Sequence, residues 1–201
     1  MPYQFSFKED DDDVPIFQCH LKHYRCEHIN PKTGKRCNRQ QYIGFDRCWK
    51  HLETDFHLKI KPSSIPHAGR GLFAFNGMDN NGIVFRGSRE KGDRIIAYNA
   101  ELISGVEIEE RYGEFTAPYA VEINKDLVED GACWRSAGSI ANHKSHSRAN
   151  AKLYIFQNRA YLRATKNIRN GQEITIDYGK DYNLNERGIH SETKYVRGKS
   201  L

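Results

Sequence analysis

The sequence has no apolar run approaching the roughly 20 residues that a membrane-spanning helix requires, so no membrane partner is expected. Its first residues, Met1 to Asp13, are polar and acidic, unlike the charged and then apolar pattern of a secretory signal. Cysteine is scarce and uneven: of the five, Cys19, Cys26, Cys37 and Cys48 lie early and only Cys133 follows. An odd, lopsided set without a signal argues against a disulfide framework and for reduced thiols. Aliphatic residues are few over 16–57, so that stretch needs something other than a hydrophobic core to hold its shape. No Cys-x-x-Cys pair, internal repeat or Ser or Cys nucleophile dyad is evident, which sets aside several hydrolytic and redox classes.

What is present divides the chain by character. Residues 1–15 form an acidic tail ending in Pro15 and are expected to be disordered. Residues 16–57 read as a metal-binding module. In residues 16–51, eight lysines and arginines stand against Glu27 and Asp46 within a chain of net charge +5. Such a surface suits DNA or an acidic protein face, although solubility alone also accounts for it. Residues 58–185 hold short apolar runs separated by Gly, Asn and Asp, which predict strands near 94–98, 119–123, 153–156, 160–164 and 173–178. A helix is predicted over Gly105 to Tyr112, following Ser104. Residues 186–201 are a polar, basic tail.

Cys26, Cys37, Cys48 and His51 follow the spacing Cys-x10-Cys-x10-Cys-x2-His. Zinc takes four thiolate or imidazole ligands in a tetrahedron. The two-residue gap from Cys48 to His51 lets a single turn present both, while Gly34 and Gly44 sit midway in the long gaps, where the chain must reverse. Cys19, His20, His23 and His28 compete for the same role. The bland alternative, inert buried thiols, leaves a core-poor segment with nothing to order it.

Four further segments call for a joint explanation. His67-Ala-Gly-Arg-Gly-Leu-Phe-Ala carries two glycines around one residue, which allows close approach of backbone to a ligand, but it lacks the third glycine of a dinucleotide fold. The others are Ile95-Ile-Ala-Tyr-Asn-Ala-Glu-Leu-Ile, Ser139-Ile-Ala-Asn-His-Lys-Ser-His-Ser-Arg-Ala-Asn, and Gly171-Gln-Glu-Ile-Thr-Ile-Asp-Tyr-Gly. Singly, each is explained by an ordinary strand or turn. In this order and spacing, from about Ile65 to Tyr182, they resemble the SET-domain protein-lysine methyltransferases. The stretch from Arg25 to His51 also looks like small Cys3His-type zinc modules.

The resemblance implies a mainly β fold of small twisted sheets, with a knot-like C-terminal threading beside the Asn-His loop and a small N-terminal zinc-binding module. It implies S-adenosyl-L-methionine as cofactor and structural Zn2+. Ala68, Gly69, Arg70 and Gly71 would cradle the methionine end, and Asn142 and His143 would hold the cofactor. Tyr178 matches the catalytic tyrosine, which also borders the cofactor. Tyr98 and Tyr119 match walls of the lysine channel, with Leu153 and Ile176 as further channel positions. The implied substrate is a histone tail, the implied location the nucleus or another reducing compartment, and residues 16–51 are the candidate contact with DNA or nucleosomes. Methyl transfer to an amine needs in-line geometry more than acid or base groups, and aromatic walls suit both an aliphatic stem and a cationic product.

Departures from the family pattern carry expectations of their own. The Asn-His loop is longer and lacks the usual Cys and Pro. No cysteine follows Cys133, so the channel must be closed otherwise, with Tyr182, Tyr195 and the tail as candidates. Ile176 stands where the family often has Phe or Tyr, which leaves room for a methylated lysine. Glu101, Glu107, Glu109, Glu110 and Glu114 form either an acidic groove for a basic tail or a solvated face. The alternative to an enzyme is an inactive SET-like module that binds chromatin or nucleic acid through its basic zinc segment.

Overall fold

The computed structural model describes residues 2–4, 18–20, 24–41, 46–78, 84–85, 87–113, 117 and 119–179. Gly44, Glu114, Tyr182, Tyr195 and the C-terminal tail therefore lie outside the described residues, as do the competing ligands His23 and, in their side chains, Cys19 and His20. Short strands dominate, as the alternation of apolar runs and turn residues predicts.

Strands β1 (Pro2–Gln4) and β2 (Gln18–His20) pair antiparallel. Helix α1 (Trp49–Phe56) runs into β3 (Leu58–Pro62), which pairs with β4 (Arg70–Ala74). Strands β5 (Gly77–Met78) and β6 (Val84–Phe85) form a small ribbon. Then come β7 (Arg94–Ala97), β8 (Glu101–Ser104), helix α2 (Gly105–Tyr112), β9 (Ala120–Asn124) and β10 (Leu127–Asp130). A 3-10 turn at Ala137–Ile140 leads to β11 (Asn142–His143), β12 (Ala151–Phe156), β13 (Arg159–Ala164) and β14 (Glu173–Ile176).

Three small sheets result, in the orders β11-β14-β4-β3, β12-β13-β7 and β8-β10-β9. In the first, β14 lies between β11 and β4, parallel to the former and antiparallel to the latter. Its four residues, Glu-Ile-Thr-Ile, are all buried, as a central strand covered on both faces requires. The β12-β13 hairpin turns at Gln157 and Asn158, both with positive φ, the backbone that a two-residue turn matching strand twist demands.

Leu52, Leu58, Ile60, Leu72, Ile96, Leu162, Ile168, Ile174 and Ile176 form the main core. A second cluster gathers Tyr98, Ala100, Ile123 and Ala160. The predicted helix forms over the expected residues because Ser104 accepts a bond from the Glu107 N–H, while Gly113, at φ 56°, closes the other end. Its Arg111 meets Glu101, Glu107 and the fully buried Asp130, which also accepts from Tyr112. Glu101 and Glu107 are thus partly neutralised rather than held open as an acidic groove. Burial and the neighbouring Asp130 carboxylate push the Tyr112 hydroxyl well above the ordinary phenol range.

Cys26, Cys37 and Cys48 are free thiols. Cys133 is disulfide-bonded, a departure from the expectation of reduced thiols throughout. Uneven cysteine placement argues against a framework of bridges but carries no information about a single one.

Candidate active site and metal centre

The N-terminal module is built from two antiparallel contacts, Arg25 with Gln40 and Ile29 with Arg36. The two arginines stitch it together: Arg25 donates to the Cys37 and Arg36 carbonyls, and Arg36 donates to the Cys26 and Arg25 carbonyls. The turn between them is shaped by the Asn30 carboxamide, which accepts from the Lys32 and Thr33 N–H groups, and by Gly34 at φ 64°.

This folding brings together Cys26, Cys37, Cys48 and His51, whose ligand atoms all lie within 4.8 Å of one another. His51 Nδ1 is 3.4 Å from both Cys26 Sγ and Cys48 Sγ. Three thiols and an imidazole at this spacing are the donor set of a structural zinc site. Burial raises the Cys26 thiol above its ordinary value. His28, a competing candidate in the sequence, stacks on the His51 ring at 3.7 Å between centroids and turns its Nδ1 to Asp55 at 2.9 Å. Asp55 also accepts from Arg47 at 2.7 Å. No local motif announces this outer layer, because its members are 27 and 8 residues apart.

Helix α1 joins this centre to the main body. Its first turn carries His51 directly after Cys48, while Leu52 enters the main core and Phe56 packs against it. His57, at φ 55°, ends the helix.

At the other predicted site, Gly69 has φ 64° and open space around its Cα, so the backbone there is exposed to a ligand. Gly71 is different: a Cβ at this position would overlap the Glu173 carboxylate. Asn142 links the two segments, donating through Nδ2 to the Arg70 carbonyl at 3.0 Å and to Glu173 Oε1 at 3.1 Å. Both recorded bonds use the amide nitrogen, which leaves the amide oxygen as an acceptor for a ligand amine. Arg70 lies over the Trp49 ring at 4.7 Å, and Ala68 closes the turn by donating to the Ile65 carbonyl.

Glu173 organises this corner, a role that its place in a strand motif did not reveal. It is 6% exposed and accepts from Ser63 Oγ at 2.6 Å, Ser64 N at 2.8 Å, the Ser64 hydroxyl and Asn142. Burial acts to raise its pKa, but the Ser63, Ser64 and Asn142 donors outweigh it and hold the carboxyl below the usual glutamate range. A depressed folded pKa means that this stabilisation is complete above the unfolded value, about 4.3, and fades as pH falls through the folded one. Glu173→Gln should therefore flatten the decline of melting temperature below about pH 4.5, at a cost near 2 kcal/mol at neutral pH from weakened charge-assisted bonds; a parallel acid profile would contradict the assignment. Gly71→Ala should displace the same carboxylate and weaken ligand binding at the Gly69 turn, measurable by calorimetry.

The Asn-His and Asp-Tyr segments meet directly. Asn142 and His143 pair with Thr175 and Ile176 across β11 and β14. Beyond the strand, Tyr178 N–H donates to His143 Nδ1 at 3.1 Å, and Tyr178 Oη donates to the Ala141 carbonyl at 3.0 Å. His143 must then carry its neutral-form proton on Nε2. Asn150, at the end of the same loop, uses its side chain as a surrogate strand, donating to the Glu173 carbonyl and accepting from Thr175 N–H.

Tyr98 is 5% exposed and donates its hydroxyl to the Tyr119 carbonyl at 2.9 Å. The Tyr119 ring is covered by Arg135 at 3.7 Å. Leu153 packs against both clusters, touching the one with Tyr98 and the one with Ile176 and Tyr178. Ile176 is 2% exposed, so its side chain is core.

Small sheets with a strand inserted beside an Asn-His loop, and a tyrosine returning to that loop, define a SET-type domain. The SET-domain family model matches residues 80–179, and these residues form a SET domain. It is 27% identical over 173 residues to the histone-lysine N-methyltransferase mes-4 of Caenorhabditis elegans, an alignment covering 77% of this chain and 17% of that protein. Among solved structures it resembles ctPRC2 in complex with H3K27me3 and H3K27M, at 25% identity and a TM-score of 0.51, over 66% of this chain and 16% of the other. A similar fold appears in an active polycomb repressive complex 2 in the stimulated state, at 24% identity and a TM-score of 0.50. The chain thus spans less than a fifth of the length of these relatives.

Proposed function

We propose that this chain transfers a methyl group from S-adenosyl-L-methionine to lysine side chains of proteins, and that its substrate is a histone tail. The observation that carries the reading is the junction of Ala141, His143 and Tyr178, where one hydroxyl and one ring are locked by backbone bonds. A relative named as a histone-lysine methyltransferase and a relative solved with H3K27me3 support the substrate class. In that setting residues 58–185 are the catalytic domain, residues 16–57 a zinc-binding module, and the location is the nucleus.

The residues fit the cofactor. Within Ala68, Gly69, Arg70 and Gly71, the Gly69 backbone is open, and Asn142 offers an amide acceptor beside it, which suits the amino-acid end of such a ligand. When bound, the cofactor supplies a methyl group on a cationic sulfur. Tyr178 keeps its hydroxyl proton on the Ala141 carbonyl, which sets the direction of the phenolic lone pairs. Tyr98, fixed by the Tyr119 carbonyl, holds one wall for the aliphatic stem of lysine, and Leu153 forms the floor between Tyr98 and Tyr178. The Arg135 guanidinium over Tyr119 disfavours a charged ammonium nearby, and so favours the neutral amine that attacks. Excess positive charge over residues 16–51 suits contact with nucleosomal DNA.

The test is transfer of labelled methyl across a panel of histones and peptides, read by mass spectrometry. Incorporation on lysine is expected, absent without the cofactor. Because the position where the family often has Phe or Tyr is filled by Ile176, whose side chain is buried in the core, products carrying more than one methyl group are expected; a reaction that stops at one methyl with excess cofactor would contradict that part. No incorporation on any histone or peptide would overturn the reading.

A further inference from the structure

The sheet of β12, β13 and β7 presents an outward face that the proposed chemistry does not use. Lys152 pairs with Arg163, and Arg163 pairs with Arg94, so three cations stand side by side across three strands. Like charges directly opposite one another destabilise a sheet. Among the described residues no carboxylate forms an ion pair with any of the three; the nearby pair is Arg159 with the buried Glu129. Aromatic rings hold the arginines instead. Arg94 lies over Tyr161 at 3.4 Å and Arg163 over Tyr154 at 4.3 Å, with the two rings 5.5 Å apart. A ring orients a guanidinium without consuming its N–H donors, so both remain exposed and able to bind an anion. Further along, Phe156 is 51% exposed and stands opposite Arg159.

We propose that this face binds single-stranded nucleic acid, with Lys152, Arg163 and Arg94 taking phosphates and Phe156, beside the tyrosines, offering a platform for bases. Strands lie about 4.8 Å apart, so the cation row spans roughly 10 Å, about three nucleotides at roughly 3.4 Å of rise each. A duplex hides its bases and cannot use the exposed ring; an acidic protein would use the cations and ignore it. Unpaired bases stack on aromatic side chains and on guanidinium planes alike.

Fluorescence anisotropy of the whole chain with a labelled short oligouridylate at low salt tests this. Wild type should bind the single strand more tightly than a duplex of the same length or polyglutamate. R94E/R163E should weaken that binding by at least about tenfold and reduce the salt slope by about 1.4. Phe156→Ala, at an exposed position where folding is not at stake, should weaken it about tenfold without changing the slope. K32E/K35E, in the basic N-terminal module, should weaken single-strand binding much less than R94E/R163E does. The proposal is overturned if R94E/R163E and Phe156→Ala bind like wild type, if K32E/K35E alone abolishes binding, or if duplex or polyglutamate binds as tightly as the single strand.

Discussion

Replacing Tyr178 by phenylalanine is expected to lower methyl transfer by about 100-fold or more while leaving the chain folded and able to bind the cofactor. The hydroxyl is the only atom removed, and its recorded partner is the Ala141 carbonyl. Loss of that bond costs about 1 kcal/mol of stability, or roughly 2–4 °C in melting temperature for a protein of this size. The catalytic cost is larger because an oriented polar group at a reacting centre is worth about 100-fold or more in rate. The ring itself stays, packed against the core and 5.3 Å from His143. Labelled transfer to histones measures the rate, a thermal melt measures the fold, and calorimetry measures cofactor uptake. A variant with wild-type turnover would remove Tyr178 from the chemistry. Turnover lost together with cofactor uptake would move its role to binding.

Removing the metal should have the largest structural effect. One zinc per chain is expected by elemental analysis, held by Cys26, Cys37, Cys48 and His51. Structural zinc in small modules contributes on the order of 10 kcal/mol of apparent binding free energy, comparable to the whole stability of an ordinary domain. Among the described residues, 24–41 are otherwise held by a few backbone bonds, such as Cys26 N–H to the Arg39 carbonyl and Cys37 N–H to the His28 carbonyl, and by largely exposed arginines. Chelation, or Cys48→Ser, should therefore open this module to proteolysis. The damage should spread, because Cys48 directly precedes α1 and Leu52 of that helix is part of the main core. A lower melting temperature for the whole chain is the expected sign. Chelated protein with unchanged melting and unchanged protease resistance would show that the thiols do not hold a structural ion.

Much of this molecule was legible in its sequence because the relevant signals are local. Short apolar runs marked β7, β9, β12, β13 and β14, whereas β8, β10 and β11 were not predicted. Ser104 marked the start of α2, because a helix N-terminus needs an acceptor that a nearby hydroxyl supplies. The helix at Trp49–Phe56 was not among the predicted elements; the two-residue step from Cys48 to His51 indicated only that one turn could present both side chains. The ten-residue spacing of the cysteines pointed to Cys26, Cys37, Cys48 and His51 as a group, and folding brings their ligand atoms within 4.8 Å of one another.

Other features depended on contacts that no local pattern records. Glu173 stood inside an apolar strand with no visible partner; its hydroxyl donors come from 110 and 109 residues away. That Gly71 must be glycine because Glu173 lies against it, rather than for backbone freedom, followed only from the folded arrangement. The same holds for Leu153 bridging two clusters, for His28 stacked on His51, and for the disulfide at Cys133. The row of Lys152, Arg163 and Arg94 joins three strands, two of them far apart in the chain, through a register shift between Leu162 and Arg163.

The sequence alone marked several strands, one helix, the Cys and His residues that folding gathers and the SET domain, because periodicity, residue spacing and ordered motifs are written along the backbone. The folded arrangement decided which polar groups are buried together, which glycine faces a carboxylate and which cations share a surface. Those outcomes depend on long-range packing, where a side chain's neighbours are chosen by the whole fold and not by its position in sequence.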